Sequence, residues 1–226
     1  MQYPGGLFIL YMLIQLHNAG KRYNRDWIFR NVNTSFAVGN AYAITGPNGS
    51  GKSTLLQVIA AALQTNEGKI DWQLKVQNGL KTLNEEEIYS QIAICAPYLE
   101  VIEEMTATEF LKFHASFKPL LPQVSIAEII NIVGLQKAAN KQIRFYSSGM
   151  KQRIKLAQAI FADVPGLLLD EPCTNLDVSG YELYHQLIEN YCRHKLIVVS
   201  SNDINEYDFC SERISILDYK QAVKAR

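Results

Sequence analysis

The sequence predicts an α/β fold in which helices cover both faces of a central parallel sheet. Its 226 residues are 48% hydrophobic, which is enough for a large buried core. Short apolar runs alternate with helix-like stretches, and the runs lack the polar alternation of half-exposed strands. These runs lie at residues 41–44, 92–95, 167–169 and 196–199. We therefore expect them to be central strands of one parallel sheet.

The first residues carry an apolar stretch, LFILYMLIQL at residues 7–16. A membrane-spanning helix needs about 20 residues, so this stretch is too short to be one. No basic residue precedes it and no small-residue cleavage site follows it, which disfavours a signal peptide. We expect residues 12–17 to form the first strand of a single domain at 12–226. Residues 1–11 are predicted to be a leader of uncertain structure, or to derive from an upstream start codon.

Helical patterns dominate between about residues 98 and 153, where no strong strand run occurs. This predicts a helical subdomain inserted into the α/β core, and a last strand is predicted at residues 213–217.

Charge and cysteine content exclude several classes of protein. The 22 basic residues equal the 22 acidic ones, so net charge favours neither a nucleic acid nor an anionic membrane surface as partner. The four cysteines form no CxxC pair and no spacing suited to zinc. A protein of the reducing cytosol, without a nucleic-acid partner, fits best.

The strongest motif is GPNGSGKST, which follows the run at residues 41–44 and opens a helical pattern. It matches the phosphate-binding pattern GxxxxGK[ST] in full. Glycines let the backbone wrap around phosphates, and the following helix directs its positive dipole end at them. The predicted phosphate-binding residues are Gly46, Pro47, Asn48, Gly49, Ser50, Gly51, Lys52, Ser53 and Thr54. Lys52 is also predicted to be catalytic at the β- and γ-phosphates, and Ser53 to ligate Mg²⁺.

Two carboxylates end the buried run GLLLDEP at residues 166–172. Ligands of open α/β sheets bind at the carboxyl ends of the strands. We therefore expect Asp170 to hold Mg²⁺ through water, and Glu171 to orient the catalytic water that attacks the γ-phosphate. An acidic helix N-terminus is the plain alternative for such a pair, and a glycine-rich turn is the plain alternative for the loop. The occurrence of the phosphate loop and the Asp-Glu pair in one chain favours the catalytic interpretation of both.

Residues 146–153, YSSGMKQR, resemble the signature sequence LSGGQ of the ABC (ATP-binding cassette) ATPases. The phosphate loop, the signature and the Asp-Glu strand also occur in the order of that family. The resemblance covers nearly the whole chain from about residue 12. It implies ATP and Mg²⁺ as ligands, and a P-loop NTPase core of the RecA-like type. An antiparallel β subdomain and the inserted helical subdomain complete the implied ABC ATPase fold.

In that family, two subunits sandwich two ATP molecules, and each signature sequence caps the nucleotide of the other subunit. The resemblance implies that Ser147 and the backbone of Gly149 contact the partner's ATP, although serine and methionine replace the family's glycine and glutamine. Asp177 matches the acid of the loop that crosses the dimer interface, and Tyr23 matches the aromatic that stacks on adenine. An ordinary helix cap and an exposed tyrosine at a strand end are the alternatives for the signature and for Tyr23.

Two positions depart from the family pattern. The glutamine that usually touches Mg²⁺ and senses the membrane partner aligns with Pro97, which has no side-chain donor or acceptor. The switch histidine aligns with Asn202, which can donate a hydrogen bond but carries no charge. We expect Asn202 to occupy the catalytic position of that histidine, and ATP hydrolysis to be slow.

The resemblance further implies two partners, a second ABC subunit, identical or paralogous, and a transmembrane transporter subunit. Phe110, Phe113 and Phe117 share a helical spacing that is most often core, but one of these rings could anchor a coupling helix of the membrane subunit. The expected function is to power transport, with export favoured. The expected location is the cytoplasm, peripheral on the inner face of the cell membrane. A regulatory module with impaired hydrolysis and a non-transport ABC ATPase remain the alternatives.

Overall fold

The computed structural model describes residues 9–76 and 79–220. The strands are β1 (Ile9–Tyr23), β2 (Asp26–Ala37), β3 (Ala41–Thr45), β4 (Glu67–Val76), β5 (Gly79–Leu83), β6 (Ile92–Cys95), β7 (Gly166–Asp170), β8 (Leu196–Ser200) and β9 (Glu212–Ser215). The α-helices are α1 (Lys52–Ile59), α2 (Glu85–Ile88), α3 (Ala107–Ala115), α4 (Ile126–Ile132), α5 (Ser148–Ile160) and α6 (Val178–Tyr191). Short 3₁₀ turns include Ile143–Phe145, Ile204–Glu206 and Ile216–Tyr219.

The strands form two sheets of different type. Five of them pair in parallel in the order β6-β7-β8-β3-β9. The other four pair antiparallel in the order β2-β1-β4-β5. In the parallel sheet β8 lies between β7 and β3, so three strands that are distant in sequence end side by side at one edge.

The parallel sheet is covered on both faces, which explains its continuous apolar runs. Along β7, Leu167 and Leu169 pack into a cluster with residues of α3, α4, α5 and α6. Leu168, between them, points to the opposite face and into a second cluster with α1 and the antiparallel sheet. Successive residues of a strand point to opposite faces of the sheet. When both faces are covered, neighbouring residues must therefore all be apolar.

Helix α1 separates the two sheets and is held by both. Its Leu55, Leu56 and Ile59 are buried against the inner face of the antiparallel sheet. The indole N–H of Trp72 on β4 donates to the Ile59 carbonyl oxygen at 2.8 Å, in a buried position at the end of the helix. This bond satisfies one of the carbonyl groups that a helix C-terminus leaves free.

The predicted central strands are confirmed at β3, β6, β7 and β8, with ends that differ by no more than one residue. The last strand is shifted, because β9 covers Glu212–Ser215 and the chain then enters a 3₁₀ turn. The first strand begins at Ile9 rather than at residue 12 and runs to Tyr23. Residues 9–11 of the predicted leader therefore belong to β1, whereas its residues 1–8 lie outside the described residues.

Between β6 and β7 the described chain contains helices and 3₁₀ turns. Helices α3 and α4 begin with reciprocal capping boxes, Thr106 with Glu109 and Ser125 with Glu128. Among the described residues no helix is long and apolar enough to cross a membrane.

The three phenylalanines at residues 110–117 do not share one environment. Phe110 is 5% exposed and belongs to the core, so it is not available to anchor a partner. Phe113 and Phe117 are exposed and pack edge to face, with ring centroids 5.1 Å apart. Helix α3 ends at Ala115, so Phe117 lies beyond the helix whose face it was predicted to share.

Candidate nucleotide site

The phosphate loop joins β3 to α1 and depends on glycine at two closely packed positions. Gly46 has a φ of +146°, and a Cβ atom there would lie 2.7 Å from a methyl group of Ile216. Gly51, which caps α1, has a φ of +104°, and its Cβ would overlap Ile28 of β2. Side chains are excluded at both positions by strain and by space. The loop therefore wraps closely, while Pro47, Asn48 and Gly49 remain at its exposed rim.

Lys52 lies under this loop and is only 4% exposed. Its Nζ donates to the carbonyl oxygens of Gly46 at 3.0 Å and Pro47 at 3.3 Å. An ammonium group has three donors, so one N–H remains for an anion in the loop. Ser50 Oγ is also buried, and among the described residues it has no hydrogen-bond partner. The loop thus concentrates donors at the N-terminus of α1, as an anion site requires.

Asp170 ends β7 next to the phosphate loop. It pairs in register with Ser200 of β8, and Ser200 in turn pairs with Ile44 of β3, the residue two before the loop. Asp170 is 2% exposed, and its Oδ1 is buried without a hydrogen-bond partner within the described chain. Ser53 and Thr54 supply hydroxyl groups in the first turn of α1.

These oxygens fit a Mg²⁺ ion. An orphaned carboxylate oxygen at Asp170 and a hydroxyl group at Ser53 are the hard ligands that Mg²⁺ prefers. Within the described residues no group of three or more His, Cys, Asp or Glu side chains could hold a metal ion. A Mg²⁺ ion with few protein ligands and several from phosphate or water is consistent with this composition.

Glu171 follows Asp170 in a left-handed backbone conformation, with a φ of +43°. Its N–H donates to the Ser200 carbonyl oxygen at 2.9 Å. Its own carbonyl oxygen accepts from both the N–H and the hydroxyl group of Thr174. Such a conformation is uncommon for a residue other than glycine, asparagine or aspartate, and here three hydrogen bonds hold it. The extended backbone of β7 therefore ends at Asp170, and Glu171 begins the turn that follows.

The structure brings both departing positions to the same sheet edge. Asn202 is exposed and follows the end of β8, between the phosphate loop on β3 and Glu171 beyond β7. Pro97 follows β6, which pairs with β7. The Pro97 carbonyl oxygen accepts from Lys155 Nζ of α5 at 3.2 Å, so the backbone that follows β6 contacts α5. At the next position, burial and the charge of Asp170 raise the pKa of Tyr98 to about 12.

Tyr23 lies at the end of β1, in the hairpin that reaches the phosphate loop. It pairs with Asp26 across the turn, and Ile28, two residues further along β2, touches Gly51 of the loop. The Tyr23 ring is 48% exposed, with Lys21 Nζ 5.6 Å from its centroid. The ring is therefore half exposed at the same end of the antiparallel sheet as the loop, with a lysine over one face.

The remaining predicted residues form a separate group. Ser147 caps α5 and accepts from the Met150 N–H at 3.3 Å, while Asp177 caps α6 and accepts from the Gly180 N–H at 2.9 Å. Ser147, Gly149 and Asp177 line one hollow of about 430 Å³ that no phosphate-loop residue lines. The plain alternative for the signature, a helix cap, holds at Ser147, and Asp177 is a helix cap as well. The predicted nucleotide-binding residues thus fall into two clusters within one chain.

Sequence reasoning missed two buried polar residues that connect this site. Gln152 of α5 donates to the Pro172 carbonyl oxygen at 2.6 Å, which joins the helix of the signature to the turn after β7. Glu206 accepts from the Cys173 N–H at 2.7 Å. The signal for Gln152 was its place three residues past Gly149. For Glu206 the sequence offers only its position four residues after Asn202, and that spacing alone does not indicate a role.

Comparison with known proteins agrees with this geometry. The family model described as ABC transporter matches residues 29–174. The chain is 30% identical over 209 residues to YxlF of Bacillus subtilis, an uncharacterized ABC transporter ATP-binding protein, covering 91% of this chain and 68% of that protein. It is 25% identical to the lantibiotic transport ATP-binding protein SrtF of Streptococcus pyogenes, covering 91% and 86%. A dimeric post-hydrolysis structure of the ATP-binding cassette MJ0796, bound to ADP and Pi, matches with a TM-score of 0.73, 26% identity and coverage of 89% and 93%.

Proposed function

This chain belongs to the ABC transporter family of ATP-binding proteins, and on that premise we propose that it hydrolyses ATP in a dimer and powers transport by a separate membrane protein. One observation carries the proposal, namely the arrangement of Lys52, Asp170 and Glu171 at one edge of the parallel sheet. A phosphate-binding cation, a metal-binding carboxylate and a second carboxylate for water are the minimum for phosphoryl transfer to water.

ATP binding is assigned to the phosphate loop and to Tyr23. The β- and γ-phosphates would accept from the loop N–H groups and from Lys52, whose ammonium group now donates to two loop carbonyl oxygens. Adenine would stack on the exposed ring of Tyr23. Such stacking favours a flat base but does not distinguish one base from another. Ser53 and Asp170 would hold Mg²⁺, which neutralises charge on the β- and γ-phosphates when bound.

Hydrolysis is assigned to Glu171. Within the described chain its carboxylate makes no hydrogen bond or ion pair, so it is free to accept one from the attacking water. Asn202 would donate a hydrogen bond to the γ-phosphate from the neighbouring strand end. Neither Asn202 nor Pro97 supplies the side chain of the family pattern, so we propose slow turnover.

A second cassette, identical or paralogous, would complete each site. The hollow that contains Ser147, Gly149 and Asp177 faces no phosphate loop of its own chain. In a head-to-tail dimer it would receive the γ-phosphate of the partner's ATP at the N-terminus of α5. The dimeric state of the MJ0796 cassette supports this arrangement.

The membrane partner is proposed from the names of the relatives, which include transport ATP-binding proteins. Its docking surface would include the exposed rings of Phe113 and Phe117 beside α3. We propose that the chain works on the cytoplasmic face of the membrane, and that the transporter exports its substrate. The substrate would be recognised by the membrane subunit.

A regulatory cassette that binds ATP without productive turnover is the second candidate. The specific observations in its favour are Pro97 and Asn202, which follow two strands at the sheet edge that carries the phosphate loop. The intact Glu171 favours the active enzyme instead.

Steady-state ATP turnover by the purified protein, across protein concentration, tests the proposal. We expect turnover per subunit to rise with concentration, and Glu171→Gln to lower kcat at least about 100-fold while ATP affinity changes little. Lys52→Ala should abolish ATP binding, and Glu182→Gln, an exposed glutamate on α6, should behave as wild type. If the wild type binds ATP through Lys52 but turns over no faster than Glu171→Gln, the regulatory cassette is the correct function.

A further inference from the structure

Glu206 is a buried carboxylate that the proposed chemistry does not use. It ends the 3₁₀ turn after β8 and is only 4% exposed. Its Oε1 accepts a hydrogen bond from the N–H of Cys173 at 2.7 Å. Cys173 lies two residues after Glu171. Burying an acidic side chain is costly unless it is well hydrogen-bonded, so this position requires an explanation.

The bond to Cys173 completes a set of contacts around the Glu171 turn. The Glu171 N–H is held by Ser200 of β8, and its carbonyl oxygen is held by Thr174. Without Glu206, the Cys173 N–H would be a buried donor with no acceptor. The left-handed conformation of Glu171 is strained and persists only where surrounding contacts enforce it. Glu206 supplies one of these contacts from outside the turn.

Glu206 also holds the segment that carries Asn202. The Glu206 N–H donates to the Asp203 carbonyl oxygen at 3.0 Å, within the turn that follows Asn202. The Glu206 carbonyl oxygen accepts from the Tyr184 hydroxyl group of α6 at 2.9 Å. One side chain therefore joins the turn after β7 to the turn after β8, and its backbone is fixed against α6.

The surroundings of Glu206 are consistent with this connecting role. Burial raises the pKa of its carboxyl group, and the negative charges of Asp203 and Glu171 raise it further. The nearby Ser201 hydroxyl group and the Cys173 N–H, which donates to the carboxylate, lower the pKa instead. An apolar side chain at this position would fill the same space without the cost of desolvating a carboxylate and without repulsion from Asp203 and Glu171. A residue that only filled space would therefore be apolar.

We propose that Glu206 is a positioning residue that holds Glu171 and Asn202 at a fixed separation on either side of the γ-phosphate. This rests on the proposed function, because it assigns Glu206 a role in the same hydrolysis. Glu206 does not touch the reacting atoms. Its carboxylate acts through the Cys173 N–H, and its backbone lies in the turn that follows Asn202. It belongs to neither the phosphate loop nor the signature, so it should leave nucleotide binding unaffected.

Paired variants test this role in the full chain. Glu206→Ala removes the contact with Cys173, and we expect kcat to fall about 10- to 100-fold while the KM for ATP stays within about threefold. Glu206→Gln keeps an acceptor for Cys173, and it should retain kcat within about threefold of wild type. Glu212→Ala, at an exposed glutamate on β9, is the matched control. An unchanged kcat in Glu206→Ala, or equal losses in Glu206→Ala and Glu206→Gln, would overturn the proposal.

Amide hydrogen exchange in the nucleotide-free protein separates this proposal from the proposed function. We expect Glu206→Ala to speed exchange at Cys173 by at least about tenfold, and Glu206→Gln to restore protection. Protection at α1, on the other face of the sheet, should stay constant and would show that the variant is folded. Unchanged exchange at Cys173 would refute the contact even if the wild type hydrolyses no ATP. A wild type without turnover, with the expected exchange, would refute only hydrolysis and the catalytic role of Glu206.

Discussion

Replacing Lys118 with methionine should stabilise this protein at neutral pH. Lys118 follows α3 and is 6% exposed, with its Nζ 3.9 Å from the centroid of the Tyr89 ring. It lines a pocket together with His114 and Glu100, and among the described residues no acceptor hydrogen-bonds to its ammonium group. Most of the side chain is therefore withdrawn from water, which penalises its charged form.

The free-energy cost of burying the charged form of Lys118 follows from the change in its pKa. Burial lowers the pKa of Lys118 from 10.5 to about 8, which corresponds to about 3 kcal/mol at 1.36 kcal/mol per pH unit. The folded pKa lies below the unfolded one, so the unfolded chain binds more protons between pH 8 and pH 10.5. Stability should therefore rise with pH in that window. At pH 7 the whole cost applies, and at pH 10 about 1 kcal/mol of it remains.

Lys118→Met removes this cost but also loses a cation–π contact of about 1 kcal/mol. We expect the variant to be about 2 kcal/mol more stable than wild type at pH 7, and to lose most of that advantage at pH 10. Neighbouring groups should not obscure this trend. Burial and the charge of Lys118 lower the pKa of His114 to about 4, so His114 is neutral at both pH values.

Urea unfolding at pH 7 and pH 10, followed by tryptophan fluorescence, measures this difference. Lys112→Met, at an exposed lysine on α3, is the matched control and should change the unfolding free energy by less than about 0.5 kcal/mol. A Lys118→Met variant no more stable than wild type at pH 7, or equally favoured at both pH values, would refute the reasoning.

Other predictions concern the loop, the core and the site. Gly51→Ala should cost more than about 3 kcal/mol and weaken ATP binding, because its Cβ would overlap β2 at a left-handed φ. Gly39→Ala, with a similar φ but open space around it, should cost about 1 kcal/mol, and thermal melting compares the two. Trp72→Phe should lower stability by about 2 kcal/mol, because it leaves the buried Ile59 carbonyl oxygen unpaired, and urea unfolding measures the loss. Asn202→His should raise kcat several-fold without changing ATP affinity, and an unchanged kcat would show that Asn202 does not limit hydrolysis.

The parallel sheet was predictable because each of its central strands is a short apolar run covered on both faces. The antiparallel sheet entered only through the family resemblance, and the structure explains why. Asn18 interrupts β1 with a left-handed φ of +50°, and the pairing of β1 with β2 shifts register between Leu16 and Ala19. Asn31 likewise interrupts β2 with a left-handed φ of +58°. Such irregularities break the two-residue alternation by which a half-exposed strand is recognised.

Helical spacing alone did not separate the phenylalanines at residues 110–117. Their spacing predicts a shared face, yet the burial of that face depends on which elements pack against α3 and on where the helix ends. Phe110 belongs to the core cluster that contains residues of α4 and α5, whereas Phe113 and Phe117 stay exposed. A local pattern contains no information about such neighbours.

The sequence by itself determined the chemistry that is encoded in consecutive residues. The phosphate loop needs nine adjacent residues, the Asp-Glu pair needs one strand end, and the order of the motifs identifies the family. Only the tertiary structure decided how Asn202, Pro97 and Glu206 relate to those motifs, because they meet through the pairing of β6, β7, β8 and β3. Parallel pairing brings the carboxyl ends of strands far apart in sequence to one edge, where loop residues without any motif of their own become neighbours of the phosphate site.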